Sequence, residues 1–398
     1  MAGPIADTTR GFRFLIRALA ALCLIGICCG STGALAQSPF YRAPPQDIAG
    51  RPGTLIRQEP LGLNAPFGAS VMRVLYRSTG LHDEPIPVSG AVIIPPGPPE
   101  GRPIVAWAHP TTGVVPRCAP SMAMFLIQQI QGVREMVQRG YIVVATDYPG
   151  LGTPETHPYL VGESEARAVL DSVRAARELT GASARFAVWG HSQGGQAALF
   201  TGMTAKSYAP ELDLVGVAAA APATELGTLL ADDIDTNGGR NLTAMTLWSW
   251  SRVFNASIDR VVDPGALPVV DRLADECIES IYDILRRRGP TRLLAQSFLA
   301  EKDFYRTEPW RALMEKNTPG TLPPHIPVFL AQGGADELVR PQVTREYMKR
   351  LCAAGSKVQW VFMPQVNHGF AARNSAPAAV QWMADRFAGA SPPSDCSG

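Results

Sequence analysis

Gly190-His-Ser-Gln-Gly194 sits between the apolar run Arg185 to Trp189 and a helix-compatible stretch from Gly195 to Phe200. In a strand, tight turn, helix context, glycines relieve a crowded turn and leave the serine standing clear of the sheet edge as a nucleophile. The new helix aims its unpaired N–H groups at the same place, which favours developing negative charge. A serine hydroxyl attacks only when a base takes its proton. The chain order expected with this turn is serine, acid, histidine. Two histidines follow Ser192. His325 precedes a strand in a Pro-rich stretch, which suits a surface or packing role. His368 lies in Pro364-Gln-Val-Asn-His-Gly-Phe370, just after the last expected strand, and is expected to be general base and then general acid.

The acid that orients this histidine is expected to be Asp336, in the loop after the penultimate strand, where Gly333 and Gly334 allow a sharp turn. Glu337 is its neighbouring rival. Asp147, also at a strand end, precedes the serine and is expected to fix the loop Asp147 to Gly152. A tetrahedral intermediate needs two donors for its oxyanion. One is the N–H of Gln193. The other is expected from His109-Pro-Thr-Thr-Gly113, through the N–H of Thr111, alone or with its hydroxyl, with Thr112 as rival. Pro110 has no N–H to give. Such a set supports acyl transfer through a covalent acyl-enzyme, which would serve an ester hydrolase and equally a polyester hydrolase, an acyltransferase or a peptidase; a non-catalytic hydrolase-like binding protein is the remaining alternative.

The elements that must position these residues alternate. Apolar runs near 102–108, 141–145, 184–189, 214–220, 326–331 and 358–362 read as buried strands, preceded by β-like patterns from Ala69 to Ile94. Helical patterns cover 122–139, 162–180, 193–206, 341–354 and 377–388. This alternation predicts an α/β fold, with a mostly parallel central sheet and helices on both faces. Residues 37–68 are expected to be an extended N-terminal arm. The core should comprise 69–222 and 325–390, with 391–398 as a tail. Residues 223–324 show no clear strand, and with helical patterns over 243–254 and 267–287 they are read as an inserted helical cap, since a loop of that length is improbable. Leu242, Leu247, Trp248, Trp250 and Phe254 either line an acyl pocket there or form the cap's own core.

Hydrophobic residues make up 46% of the 398 and charged residues 18%, so a sizeable core is available and a disordered chain is excluded. A formal net charge of +1 gives no reason to expect nucleic-acid binding. Residues 1–36 carry Arg10, Arg13 and Arg17, an apolar run from Ala18 to Gly30 and an Ala34-Leu-Ala36 exit. This is the pattern of a secretory signal peptide, so a secreted or periplasmic protein is expected. Cys118, Cys277, Cys352 and Cys396 lie beyond the leader. An even number in an exported chain favours disulfides, and four cysteines allow three pairings. There is no Cys-x-x-Cys or His-x-x-x-His, and no metal site is expected.

With these residues in place the chain resembles the secretory lipase family, which includes fungal lipase-A-like enzymes and bacterial relatives. The resemblance rests on Gly190 to Gln196, Cys118-Ala-Pro-Ser121, Asp147-Tyr148 with Gly150 and Gly152, Gly334-Ala-Asp-Glu337 and His368-Gly369. It implies an α/β-hydrolase fold with a helical cap and cofactor-free hydrolysis of small-molecule or lipid esters, as lipase or carboxylesterase. It also implies the disulfides Cys118–Cys277 and Cys352–Cys396. Transient contact with a lipid surface through the cap is a further expectation. Many relatives have Gly where this chain has Pro110.

Overall fold

The computed structural model describes residues 38–278 and 281–396. The expected leader lies outside them. Nine strands form one sheet: β1 (Leu55–Pro60), β2 (Ser70–Thr79), β3 (Pro85–Ile94), β4 (Ile104–Ala108), β5 (Ile142–Thr146), β6 (Arg185–His191), β7 (Asp213–Ala220), β8 (Val328–Gly333) and β9 (Val358–Met363). Their spatial order is β1-β2-β3-β5-β4-β6-β7-β8-β9. Pairing is antiparallel from β1 as far as β5 and parallel from there to β9.

The parallel centre follows from its residues. β4, β5 and β8 are buried at every position, and such continuous apolar runs need cover on both faces. The helices Gly162–Thr180, Gln193–Tyr208 and Pro341–Ala353 supply that cover on one face. Ala371–Phe387 and Val133–Gln138 supply it on the other. Trp107 of β4 sits opposite Trp189 of β6, their rings 5.8 Å apart, which locks the register beside the loop that follows β4.

Between β7 and β8 run the helices Leu226–Asp233, Asn237–Val253, Leu267–Ala274, Ile281–Gln296 and Trp310–Asn317. Their apolar side chains do not form a separate core. Leu229, Met245, Leu247, Trp250 and Leu273 belong to the same buried cluster as Trp107 and Trp189. The insertion therefore packs on the sheet. Cys118 and Cys277 add a covalent tie, with sulfurs 2.07 Å apart, between the loop after β4 and this insertion. Cys352 and Cys396 form the second pair. Asp395 extends the edge at β9, donating its N–H to Val358 O at 2.7 Å and accepting from Trp360 N–H at 2.8 Å.

Four elements depart from the expectations. The N-terminal arm is not simply extended, because it contributes β1, an edge strand paired with β2, and a short helix at Pro45–Ile48. The expected helix over 122–139 is broken into Leu126–Gln129 and Val133–Gln138. Ile130 ends the first in extended backbone, and Gly132, at φ 80°, takes a left-handed conformation just before the second. The helix expected from Pro377 begins at Ala371, with Pro377 inside it, so the proline forgoes one intrahelical bond rather than marking the start. The pattern over 267–287 divides into two helices around Cys277.

Candidate active site

Ser192 occupies the turn between β6 and the helix Gln193–Tyr208, with φ 57° and ψ −118°. A non-glycine residue in this region is strained and persists only where its surroundings impose it. They do so through close packing. A Cβ on Gly190 would meet Gly194 O at 2.0 Å, and one on Gly194 would meet Ala108 O at 1.9 Å. The Ser192 N–H donates to Ala220 O at 3.0 Å, tying the turn to the end of β7. The serine is 9% exposed and opens onto a cavity.

His368 begins a short 3₁₀ turn after β9. Its Nε2 lies 2.8 Å from Ser192 Oγ, and its Nδ1 lies 2.8 Å from Asp336 Oδ2. Asp336 is buried in the loop after β8, whereas Glu337 is exposed. The loop fixes the carboxylate through its own backbone. Oδ1 accepts from Leu338 N–H at 2.9 Å and Val339 N–H at 2.8 Å, and Oδ2 also accepts from Gln332 Nε2 at 3.1 Å. Ala335 N–H donates to Val366 O at 3.1 Å, which joins the loop of the acid to the loop of the histidine. The structure thus brings Ser192, His368 and Asp336 into one hydrogen-bonded line. His325 is exposed and remote from it in the sheet, at the opposite end of β8.

Neighbouring histidines brace this line. His191 donates from Nε2 to His368 O at 2.9 Å, and burial pushes its pKa down to about 3, so it stays neutral. His109 is likewise lowered to about 4 by burial and contacts Pro110 O through Nδ1 at 2.7 Å. Asp147 holds the Cys-Ala-Pro-Ser segment, accepting from Ser121 N–H at 2.8 Å and from Ser89 Oγ at 2.6 Å. Its burial raises the carboxyl pKa to about 6 despite these donors.

The expected oxyanion residues sit on two sides of Ser192. Gln193 opens its helix, where the first N–H groups have no intrahelical acceptor. Thr111 and Thr112 line the cavity from the loop after β4. The Thr111 hydroxyl is engaged with Tyr159 Oη at 2.9 Å, while the buried Thr112 hydroxyl has no hydrogen-bond partner among the described residues. Thr112 O accepts from Ile278 N–H at 2.7 Å, so this loop is also tied to the insertion next to Cys277.

Two groups carry no signal in the linear pattern. Glu165 is fully buried beneath Gln193 and receives its amide at 2.7 Å. Arg287, from the insertion, reaches the cavity wall. The cavity measures about 710 Å³, with Ser192, His191 and His368 on the sheet side and Asn237, Asn241 and Leu242 opposite. Of the five apolar residues weighed as an acyl pocket, Leu242 lines it; Leu247 and Trp250 are core, and Phe254 packs edge-on against Trp250.

The comparisons with known proteins agree with this architecture. Residues 121–395 match the family model described as secretory lipase. Lipase A of Arthroderma benhamiae is 23% identical over 389 residues, covering 89% of this chain and 80% of that protein. A Mycobacterium tuberculosis protein named as a probable inactive lipase is 24% identical over 379 residues, covering 88% and 82%. The closed-state structure of Candida antarctica lipase A superposes with a TM-score of 0.73 at 20% identity, covering 90% of this chain and 87% of that one. That last likeness is one of fold. The chain belongs to the secretory lipase family, has the α/β-hydrolase fold, and is an ester hydrolase.

Proposed function

We propose that Ser192, His368 and Asp336 act as a nucleophile, base and orienting acid that cleave carboxylic or lipid esters through an acyl-enzyme. The observation that carries this reading is the pair of 2.8 Å contacts running from Ser192 Oγ through the imidazole to Asp336. His368 Nε2 takes the hydroxyl proton as Oγ attacks the ester carbonyl carbon. The resulting oxyanion is held by the Gln193 N–H and by a donor from Thr111 or Thr112. His368 then passes its proton to the departing alcohol. Water repeats the sequence, frees the acid and restores Ser192.

The protein is proposed to work outside the cytoplasm after cleavage of its leader near Ala36. Two cysteine pairs at bonding distance and the family assignment support export. Contact with a lipid surface through the inserted helices is supported by Tyr282, Leu285 and Leu293, all exposed on Ile281–Gln296.

One relative is named as inactive, so the test must read turnover rather than fold. The purified protein is expected to hydrolyse p-nitrophenyl acyl esters. Ser192→Ala should lower kcat by about 10⁶-fold, as loss of a nucleophile does in a triad enzyme. Equal turnover by both proteins would remove the proposal. A series from acetate to palmitate then separates esterase from lipase.

A further inference from the structure

The cavity in front of Ser192 has an unusual charge. The helix Ile281–Gln296 turns Arg287, Arg288 and Arg292 toward it, and no Asp or Glu is among the described residues that line it. Arg288 and Arg292 are exposed at the mouth, while Arg287 is 5% exposed. The Arg287 guanidinium hydrogen-bonds to neutral acceptors among the described residues, and the Glu276 and Asp283 carboxylates favour its charge electrostatically. Nε donates to Asn241 Oδ1 at 3.1 Å, and Nη1 donates to Leu273 O at 2.9 Å and to the Glu276 carbonyl oxygen. The Glu276 carboxylate also faces Arg286, at 3.8 Å. Buried Nη2 has no hydrogen-bond partner among the described residues.

A buried cation whose hydrogen bonds among the described residues all go to neutral oxygens is costly, and an unfilled N–H adds to the cost. The pKa of Arg287 is lowered by burial only to about 10, so the charge persists at neutral pH. The polar wall around it is already organised, since Asn241 Nδ2 donates to Thr291 Oγ1 at 2.9 Å. A second, much smaller crevice of about 30 Å³ also reaches Ser192, and its wall is largely apolar, with Leu226, Leu229, Leu230 and Val339. The two spaces meet at the serine with opposite chemistry. A long neutral chain in the larger one would leave Arg287 desolvated and unpaired.

We propose that the larger cavity takes the part of the ester that bears a carboxylate, with Arg287 as its anchor and Arg288 and Arg292 guiding it in at the mouth. Nη2 is the guanidinium nitrogen left without an acceptor among the described residues, and a carboxylate would supply both that acceptor and the opposite charge. This inference rests on Ser192 as nucleophile and names the substrate class of that same site.

Two substrate pairs test it. In the acyl arm, mono-p-nitrophenyl adipate is compared with its methyl-capped neutral counterpart. In the alcohol arm, 4-acetoxybenzoate is compared with its methyl ester. In at least one arm the anionic ester should have a kcat/KM about tenfold higher or more, chiefly through KM, and added salt should shrink the advantage. Arg287→Gln should bring the ratio toward one. Arg288→Gln/Arg292→Gln, both at exposed positions, should lower it independently of any folding defect in the first variant. A ratio at or below one in both arms, or a ratio unchanged in both variants, overturns the proposal. Calorimetric binding of monomethyl adipate to Ser192→Ala, with dimethyl adipate as control, reads the cavity without turnover. Failure of p-nitrophenyl acetate hydrolysis with adipate binding intact would count against the nucleophile alone. Equal or absent binding of the two adipates would count against the anion site.

Discussion

The side-chain amide of Gln193 donates to the fully buried carboxyl of Glu165 over 2.7 Å, directly beneath the proposed oxyanion donor. The same nitrogen lies 3.2 Å from His157 Nε2. His157 Nδ1 faces Pro149 O at 2.8 Å and must donate to it, which leaves Nε2 as an acceptor for the second amide hydrogen. Burial lowers His157 to about 3 and so keeps that tautomer neutral. Glu165 is raised by burial to about 8, against the usual 4.5. At neutral pH it is therefore protonated, so the buried Oε2, which has no hydrogen-bond partner among the described residues, need not carry a charge. The network fixes the first residue of the helix behind Ser192.

Because the folded-state pKa of Glu165 lies above the unfolded value, its contribution to stability is fully present below about 4.5 and is lost as pH rises to about 8. Glu165→Gln keeps one acceptor and one donor without titrating. Relative to the native protein, the variant should gain stability across that window, by at most about 1.4 kcal/mol per pH unit, and the gap should level off beyond it. Denaturant melts at pH 5, 6.5, 8 and 9 measure this. A constant gap would show that Glu165 does not titrate as argued.

Asp336→Asn should leave the fold intact and lower kcat by about 10⁴-fold. The asparagine oxygen can still accept from the N–H groups of Leu338 and Val339. Its NH₂ then faces His368 Nδ1 and makes that atom an acceptor, so the proton sits on Nε2, where it blocks deprotonation of Ser192. Steady-state rates together with a thermal melt check both halves. A comparable rate in the variant would move the acid elsewhere, and Glu337→Gln is the control.

The elbow was legible in the sequence because its geometry is local. Residues 190–194 must be small where Ala108 O and Gly194 O approach, and the flanking strand and helix announce themselves by periodicity. That Asp336 and His368 would come together beside Ser192 was legible from chain order and from their places at strand ends. Glu165 was not, because in sequence it reads as a first-turn acid of its helix, beside Glu163, and only tertiary packing buries it against Gln193. Arg287 stands among three consecutive arginines, a pattern that normally marks a solvated face. β1 was missed because its residues are only half-buried, which blurs the alternation of an edge strand.

Thr112→Val should move stability and activity in opposite directions. The buried hydroxyl has no partner, so exchanging it for a methyl removes an unsatisfied polar group and should stabilise the fold by about 1 kcal/mol. If that hydroxyl serves the oxyanion, kcat falls by about 10²-fold with little change in KM. An unchanged kcat in a more stable protein would assign the role to a backbone N–H of this loop alone. Thr111→Val reports separately, because it breaks the contact to Tyr159 and should cost stability instead.

The two cysteine pairs should differ in what they protect. Cys118–Cys277 closes a sequence separation of 159 residues and Cys352–Cys396 one of 44. On the loop-entropy account, removing the first should cost about 1 kcal/mol more than removing the second. The first also sits beside chemistry. Cys277 precedes Ile278, whose N–H holds Thr112 O at 2.7 Å, and Cys118 packs where Gly113 turns. Its loss lets the insertion and the loop after β4 shift against each other, so Cys118→Ala/Cys277→Ala should lower kcat as well as the melting temperature. Cys352→Ala/Cys396→Ala, at the far edge beside β9, should lower the melting temperature and leave kcat within about twofold, the scatter expected of a site remote from the reacting atoms. Equal loss of kcat in the two double variants would mean that the first disulfide serves only general stability.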